Sequence, residues 1–69
     1  MAEYSLRVDV HGYDLIVSCG RKGFIAVYYK PSDQPHLLLR HSTRTDDHQL
    51  LAQVWQAANN KARELGWIV

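Results

Sequence analysis

The run YSLRVDVHGYDLIVSCGRKGFIAVYY, residues 4–29, decides how this chain folds. Tyr4, Leu6, Val8 and Val10 alternate with Ser5, Arg7, Asp9 and His11, which is the period of a strand with one buried face. Tyr13, Leu15, Val17 and Cys19 repeat the pattern. His11-Gly12 lies between the two sets, and a glycine that tolerates positive φ suits a two-residue hairpin turn there. A second tight turn is expected at Gly20-Arg21-Lys22-Gly23, before Phe24 to Lys30, a run rich in β-branched and aromatic side chains.

Beyond these three strands, Pro31-Ser32-Asp33-Gln34-Pro35 breaks the chain with two fixed φ angles, and His36 to His41 reads as a fourth short strand. After Ser42 the period becomes helical, with Leu50, Leu51, Val54, Ala58, Ala62 and Leu65 on one stripe. Thr45 or Asp46 is the expected N-cap, Asp46 and Gln49 having capping-box spacing, and Asp47 lies near the positive end of the helix dipole. Lys61 and Arg63 sit at the favourable opposite end. Gly66 reads as the residue that ends the helix, with Trp67 folding back against the last turn. Small residues at Ala57, Ala58 and Ala62 allow close approach to a sheet, and Trp55 at the stripe's edge is placed to cover a sheet margin. The expected fold is α+β, a single domain over residues 1–69. It is an antiparallel four-stranded meander sheet (β-β-β-β-α) with one C-terminal helix packed on one face.

Composition narrows the function classes. A chain of 69 residues buries only about 60% of its unfolded surface, so its stability margin is thin. Phe24 to Tyr29, the longest apolar stretch, falls far short of the roughly 20 residues that span a bilayer, and no basic segment followed by an apolar one stands near Met1. A cytoplasmic protein without membrane contact is expected. Cys19 stands alone, which removes an intramolecular disulfide framework and leaves too few thiols for a thiolate zinc site. Eight Lys plus Arg against seven Asp plus Glu give no bulk basic field for nucleic acid.

A mismatch between the sheet's faces and the single helix carries the functional expectation. Leu6, Val8, Val10, Tyr13, Leu15 and Val17 continue onto Phe24, Ala26 and Tyr28, joined by Leu37 and Leu39, and this face matches the helix stripe. The other face carries Ile16, Ile25, Val27, Tyr29 and Leu38 beside Arg7, Asp9, His11, Asp14, His36 and Arg40. One helix covers one face. The tail Trp67-Ile68-Val69 is too short to hide the second, although it can pair at a sheet edge in its own chain or a neighbour's. An apolar patch with a polar rim is what partner surfaces look like. The expectation is a non-enzymatic interaction module that forms a homodimer, or meets another protein, through Ile16, Ile25, Val27, Tyr29 and Leu38.

Nucleic-acid binding is the alternative, through the same face and the basic turn, with Arg7, Arg21, Lys22, Tyr29 and Arg40 as contacts. Rings interleaved with cations are what single-strand binders use. Gly20-Arg21-Lys22-Gly23 also matches the GXXG pattern of the RNA-binding KH fold, although strands rather than helices flank it here. Gln49, Gln53, Gln56 and Asn60 add a neutral polar helix stripe able to bond base edges. In topology a four-strand meander with a following helix is similar to the small dimeric transcriptional coactivators that bind single-stranded DNA, and less closely to sheet-reading DNA modules of integrases. No residue motif is shared with either. His36, His41 and His48 with Asp46 and Asp47 hold ligand atoms but no metal-site spacing. Cys19 faces the core with no general base beside it. Nucleophile-elbow, Walker A and Rossmann patterns do not occur. Neither catalysis nor a cofactor nor a metal is therefore expected.

Overall fold

Backbone pairing follows the alternation of the sequence. In the computed structural model, which describes residues 4–68, the strands are β1 (Arg7–His11), β2 (Asp14–Cys19), β3 (Phe24–Tyr29) and β4 (Leu38–Ser42), and α1 (His48–Glu64) follows them. Each strand is antiparallel to the next, in the order β1-β2-β3-β4. The molecule is thus the α+β meander with a C-terminal helix on one face. Expectations placed on Met1 and Val69 lie outside the described residues.

The first hairpin turns two residues later in register than its sequence suggests. A turn at His11-Gly12 would set Val10 opposite Tyr13, whereas Val10 pairs with Leu15, Val8 with Val17 and His11 with Asp14. The loop is therefore Gly12-Tyr13. Gly12 takes φ 61 and, among the described residues, no non-glycine has positive φ, which is the II′ arrangement with glycine first. A shift of two residues leaves every side chain on its face, because the strand period is two. Two residues expected on the core face change role: Tyr13 stands at the hairpin tip, 81% exposed, and Val10 at the end of β1 is 40% exposed. The second turn is one turn of 3-10 helix, Gly20–Lys22, closed by Gly23 in the left-handed region at φ 61.

At the other edge, β4 spans Leu38–Ser42 instead of His36 to His41, and a bulge interrupts its pairing with β3. Val27 pairs with His41 while Tyr28 pairs with Leu39, so Arg40 is the extra residue. Past the strand end, Thr43 N–H donates to the Ile25 carbonyl at 2.8 Å, and Ile25 N–H donates to Thr43 Oγ1 at 3.1 Å. Leu39, expected in the core, is 52% exposed. The reason is position: α1 lies closest to β2 and β1, so the helix side of the β4 edge is left open.

Helix ends are set by two caps. Asp47, one residue beyond the expected candidates, is the N-cap, and its side chain accepts from Leu50 N–H at 3.0 Å. At the C-terminus, Trp67 N–H donates to the Ala62 carbonyl at 2.8 Å and Gly66 N–H to that of Arg63 at 3.0 Å, with Gly66 at φ 77. That is the Schellman pattern of bonds. Between the caps, Leu50, Val54, Ala58 and Ala62 are buried against Leu15, Val17, Cys19, Phe24, Ala26, Tyr28 and Leu37. Ala58 and Ala62, small as they are, are fully covered in the helix's second half. Trp55 packs its ring 5.6 Å from that of Tyr28 at the core's margin. Leu65 ends the stripe exposed, and Trp67 and Ile68 pack on the core's edge without forming a strand. Edge pairing by the tail does not occur within the described residues.

Candidate functional site

Strand register assembles the outer face of the sheet in three rows. Arg7, Ser18 and Ile25 form one, Asp9, Ile16, Val27 and His41 the second, and His11, Asp14, Tyr29 and Leu38 the third. The five apolar residues singled out from the sequence thus meet on β2, β3 and β4, on the side away from α1. Their cover is partial. Ile25 is 47% exposed, and Ile16, Val27, Tyr29 and Leu38 are half-buried by their sheet neighbours.

Charges on this face come in opposite-sign neighbours. Arg7 Nε lies 3.1 Å from Asp9 Oδ2 along β1. Arg40 reaches across to Asp14 Oδ1 at 3.2 Å, and its guanidinium stands 4.3 Å from the centre of the Tyr29 ring. That stacking exists because of the bulge, which turns Arg40 and His41 onto the outer side together. Exposed pairs of this kind add little to stability. They do cancel the face's positive field, leaving it apolar at the centre and zwitterionic at the rim.

The proposed nucleic-acid contacts do not form one cluster. Arg21 and Lys22 stand at the Phe24 end of β3 and Tyr29 and Arg40 at its other end, roughly 17 Å apart at a strand's rise per residue. Lys22 is committed elsewhere, with its ammonium 5.6 Å from the centre of the Tyr4 ring and 3.8 Å from Asp47 Oδ2. This knot was not legible in the sequence. The Tyr4 hydroxyl donates to Asp47 Oδ2 and Tyr4 N–H to Gln53 Oε1, fastening the segment before β1 to the first turns of α1. The bond from Tyr4 holds the Asp47 carboxyl below its usual range, helped by Leu50 N–H and Lys22, and the same bond raises the Tyr4 phenol.

Other candidates are dispersed. His36 precedes β4, His41 lies on the outer face and His48 opens α1. Among the described residues no three His, Cys, Asp or Glu side chains gather as a metal site requires. Cys19 is buried, 1% exposed, as a small core residue. Among the described residues no helix is long and apolar enough to cross a membrane. Sequence reasoning overlooked a ring pair at the Tyr29 end of the sheet, where Tyr13 and Trp67 lie 6.3 Å apart at 43°. The available signal was the glycine before each of them, which turns the chain and presents the ring. No protein-family model, curated protein or solved structure matches the chain.

Proposed function

We propose that the protein is a non-enzymatic interaction module in which two copies associate through the sheet face opposite α1. Ile16, Ile25, Val27, Tyr29 and Leu38 form the contact core. The observation that carries this reading is their contiguity on three neighbouring strands, on the side away from α1, where Ile25 is 47% exposed and the other four only partly covered. Residues whose alternation demands one buried face normally leave the other polar. Here β3 is apolar on both, with Ile16 of β2 and Leu38 of β4 beside it, as in the middle of a layer packed from two sides.

A second copy fits this face better than a polyanion does. Arg7 beside Asp9 and Arg40 beside Asp14 leave the rim with both signs, so identical faces can meet with opposite charges opposed. Covering the remaining half of ten such side chains, five from each copy, is worth roughly 7 to 15 kcal/mol. Association costs about 4 to 15 kcal/mol in lost freedom. The two are comparable, so the complex is weak and its equilibrium lies at micromolar concentration or above. The nucleic-acid alternative draws less support, since its cations are paired on this face or lie at the far end of the sheet. A cytosolic setting belongs to the same reading, because one buried cysteine needs no oxidising compartment.

Sedimentation equilibrium from micromolar to millimolar concentration tests the proposal. The wild type is expected to pass from monomer to dimer across this range. Val27→Asp and Ile25→Lys, which place a charge at the centre and at an exposed corner of the patch, are each expected to hold it monomeric while far-UV circular dichroism stays unchanged. A wild type that is monomeric throughout, or a dimer that survives both folded variants, overturns it.

A further inference from the structure

At the Tyr29 end of the sheet an open cleft of about 590 Å³ lies between the first hairpin, the start of β4 and the end of α1. Three rings from three separate parts of the chain line it: Tyr13 at the hairpin tip, Tyr29 at the end of β3, and Trp67 after the helix. Tyr13 is 81% exposed. Its ring meets that of Trp67 at a tilt of 43° with centres 6.3 Å apart, so the two rings form a wedge open to water. Lys30 brings positive charge, Arg40 a guanidinium shared with Asp14 outside the lining, and Ser32 a hydroxyl, and among the described residues no acidic side chain lines the cleft.

These features select a ligand that is flat, aromatic and anionic. An uncharged ring would cover cations without compensating them, and a bare anion would leave the three rings unused. The volume lies within the range of small-molecule sites. We propose that this cleft binds a nucleotide, with the base against Trp67 and Tyr13 and the phosphate at Lys30 and Arg40.

The electrostatics of the helix end fix that orientation. Gly66 lines the cleft beside Trp67, and a helix C-terminus repels anions. Two of its carbonyls, those of Ala62 and Arg63, are already taken by the N–H groups of Trp67 and Gly66. The neutral base therefore sits at the helix end and the phosphate at the opposite wall. Arg40 is preset there, stacked on Tyr29 at 4.3 Å and tethered to Asp14 at 3.2 Å. Its guanidinium carries five donors, more than Asp14 occupies. Lys30, also in the lining, donates from Nζ to the Pro31 carbonyl at 3.0 Å and has further N–H donors to offer. A base carrying a phosphate can arrive as a free mononucleotide or as one residue of a single strand.

Two-dimensional amide and indole NMR of the whole protein tests this, titrated separately with AMP, adenosine and a short single-stranded oligoadenylate. Saturable shifts at Tyr13, Lys30, Gly66 and Trp67 are expected. AMP should bind more tightly than adenosine, and added salt should weaken AMP alone. Tyr13→Ala should weaken both by roughly five- to 150-fold, the usual worth of one base stacked on a ring. Tyr13 is too exposed for its loss to unfold the chain. Lys30→Gln should weaken AMP and leave adenosine unchanged. Tighter binding of the oligomer identifies a strand as the source, and equal or tighter binding of AMP identifies the free nucleotide. No saturable shift with AMP or the oligomer overturns the proposal, as do unaltered affinities in both variants. Tyr29 and Arg40 border the dimer face as well as the cleft, whereas Tyr13 and Lys30 lie outside the five-residue patch, so sedimentation of the same samples separates this outcome from failure of the dimer.

Discussion

Asp47 holds the start of α1 by engaging three neighbours at once. One carboxylate oxygen accepts from Leu50 N–H and the other from the Tyr4 hydroxyl, with Lys22 3.8 Å away. The Tyr4 bond is the largest cause of its lowered pKa, followed by the bond from Leu50. A carboxyl depressed in the folded state stabilises the fold above the ordinary carboxylate range, near pH 4, and that contribution is lost as pH falls through the lower folded value. The Tyr4 phenol, raised chiefly by the same bond, acts in the opposite sense and loses its contribution above about pH 10. Asp47→Asn keeps a capping oxygen and removes the charge. The variant should therefore show a flatter decline in Tm between about pH 5 and pH 2 than the wild type, measured by thermal melts across that range. An unchanged slope would assign the acid sensitivity elsewhere. Choosing among Thr45, Asp46 and Asp47 was beyond local sequence reading. All three carry a capping oxygen, and the choice rests on Tyr4, which lies 43 positions away. Gly66 was legible for the opposite reason, since left-handed backbone after a helix is itself a local requirement.

Strands and helix were readable because each repeats a period several times. Alternation along residues 14–19 and 24–29 matches the observed burial position by position, buried side chains at Leu15, Val17, Cys19, Phe24, Ala26 and Tyr28 being separated by less covered ones. Where period alone had to choose a turn it missed by two residues of register, since both candidate hairpins use Gly12 and bury the same face. The bulge at Arg40 left no signature in LLLRHS, a run without glycine or clear alternation. In α1 the spacing of the apolar stripe identified the buried face, although Leu65, read onto that stripe, falls at the C-cap and is exposed. Leu50 is 1% exposed and Leu65 39%. Leu50→Ala should cost about 2 to 5 kcal/mol, a large part of what a chain of this size possesses, while Leu65→Ala should cost less than about 1 kcal/mol. Urea denaturation of the two variants checks this. Equal losses would mean that the helix does not seat on its first turn as described.

At the scale of the whole molecule one helix faces two apolar surfaces. It seats on the side of Leu15, Val17 and Ala26 and leaves Ile16, Ile25, Val27, Tyr29 and Leu38 to water or to a partner. This asymmetry was legible from sequence because it follows from counting elements: a sheet whose middle is apolar on both faces and a single amphipathic cylinder. The ends of the sheet were not. Which charges gather at the Tyr4 end and which rings at the Tyr29 end depends on where the helix starts and stops over the strands. Those contacts join residues more than forty positions apart. The most direct test of the account is an isotope-filtered NMR experiment on a mixture of labelled and unlabelled chains at a concentration where both coexist as dimers. Intermolecular contacts among the methyl groups of Ile16, Ile25, Val27 and Leu38 are the predicted result. Filtered contacts confined to other surfaces, such as Leu39 and Trp55 beside the open β4 edge, or none at any concentration, would contradict it.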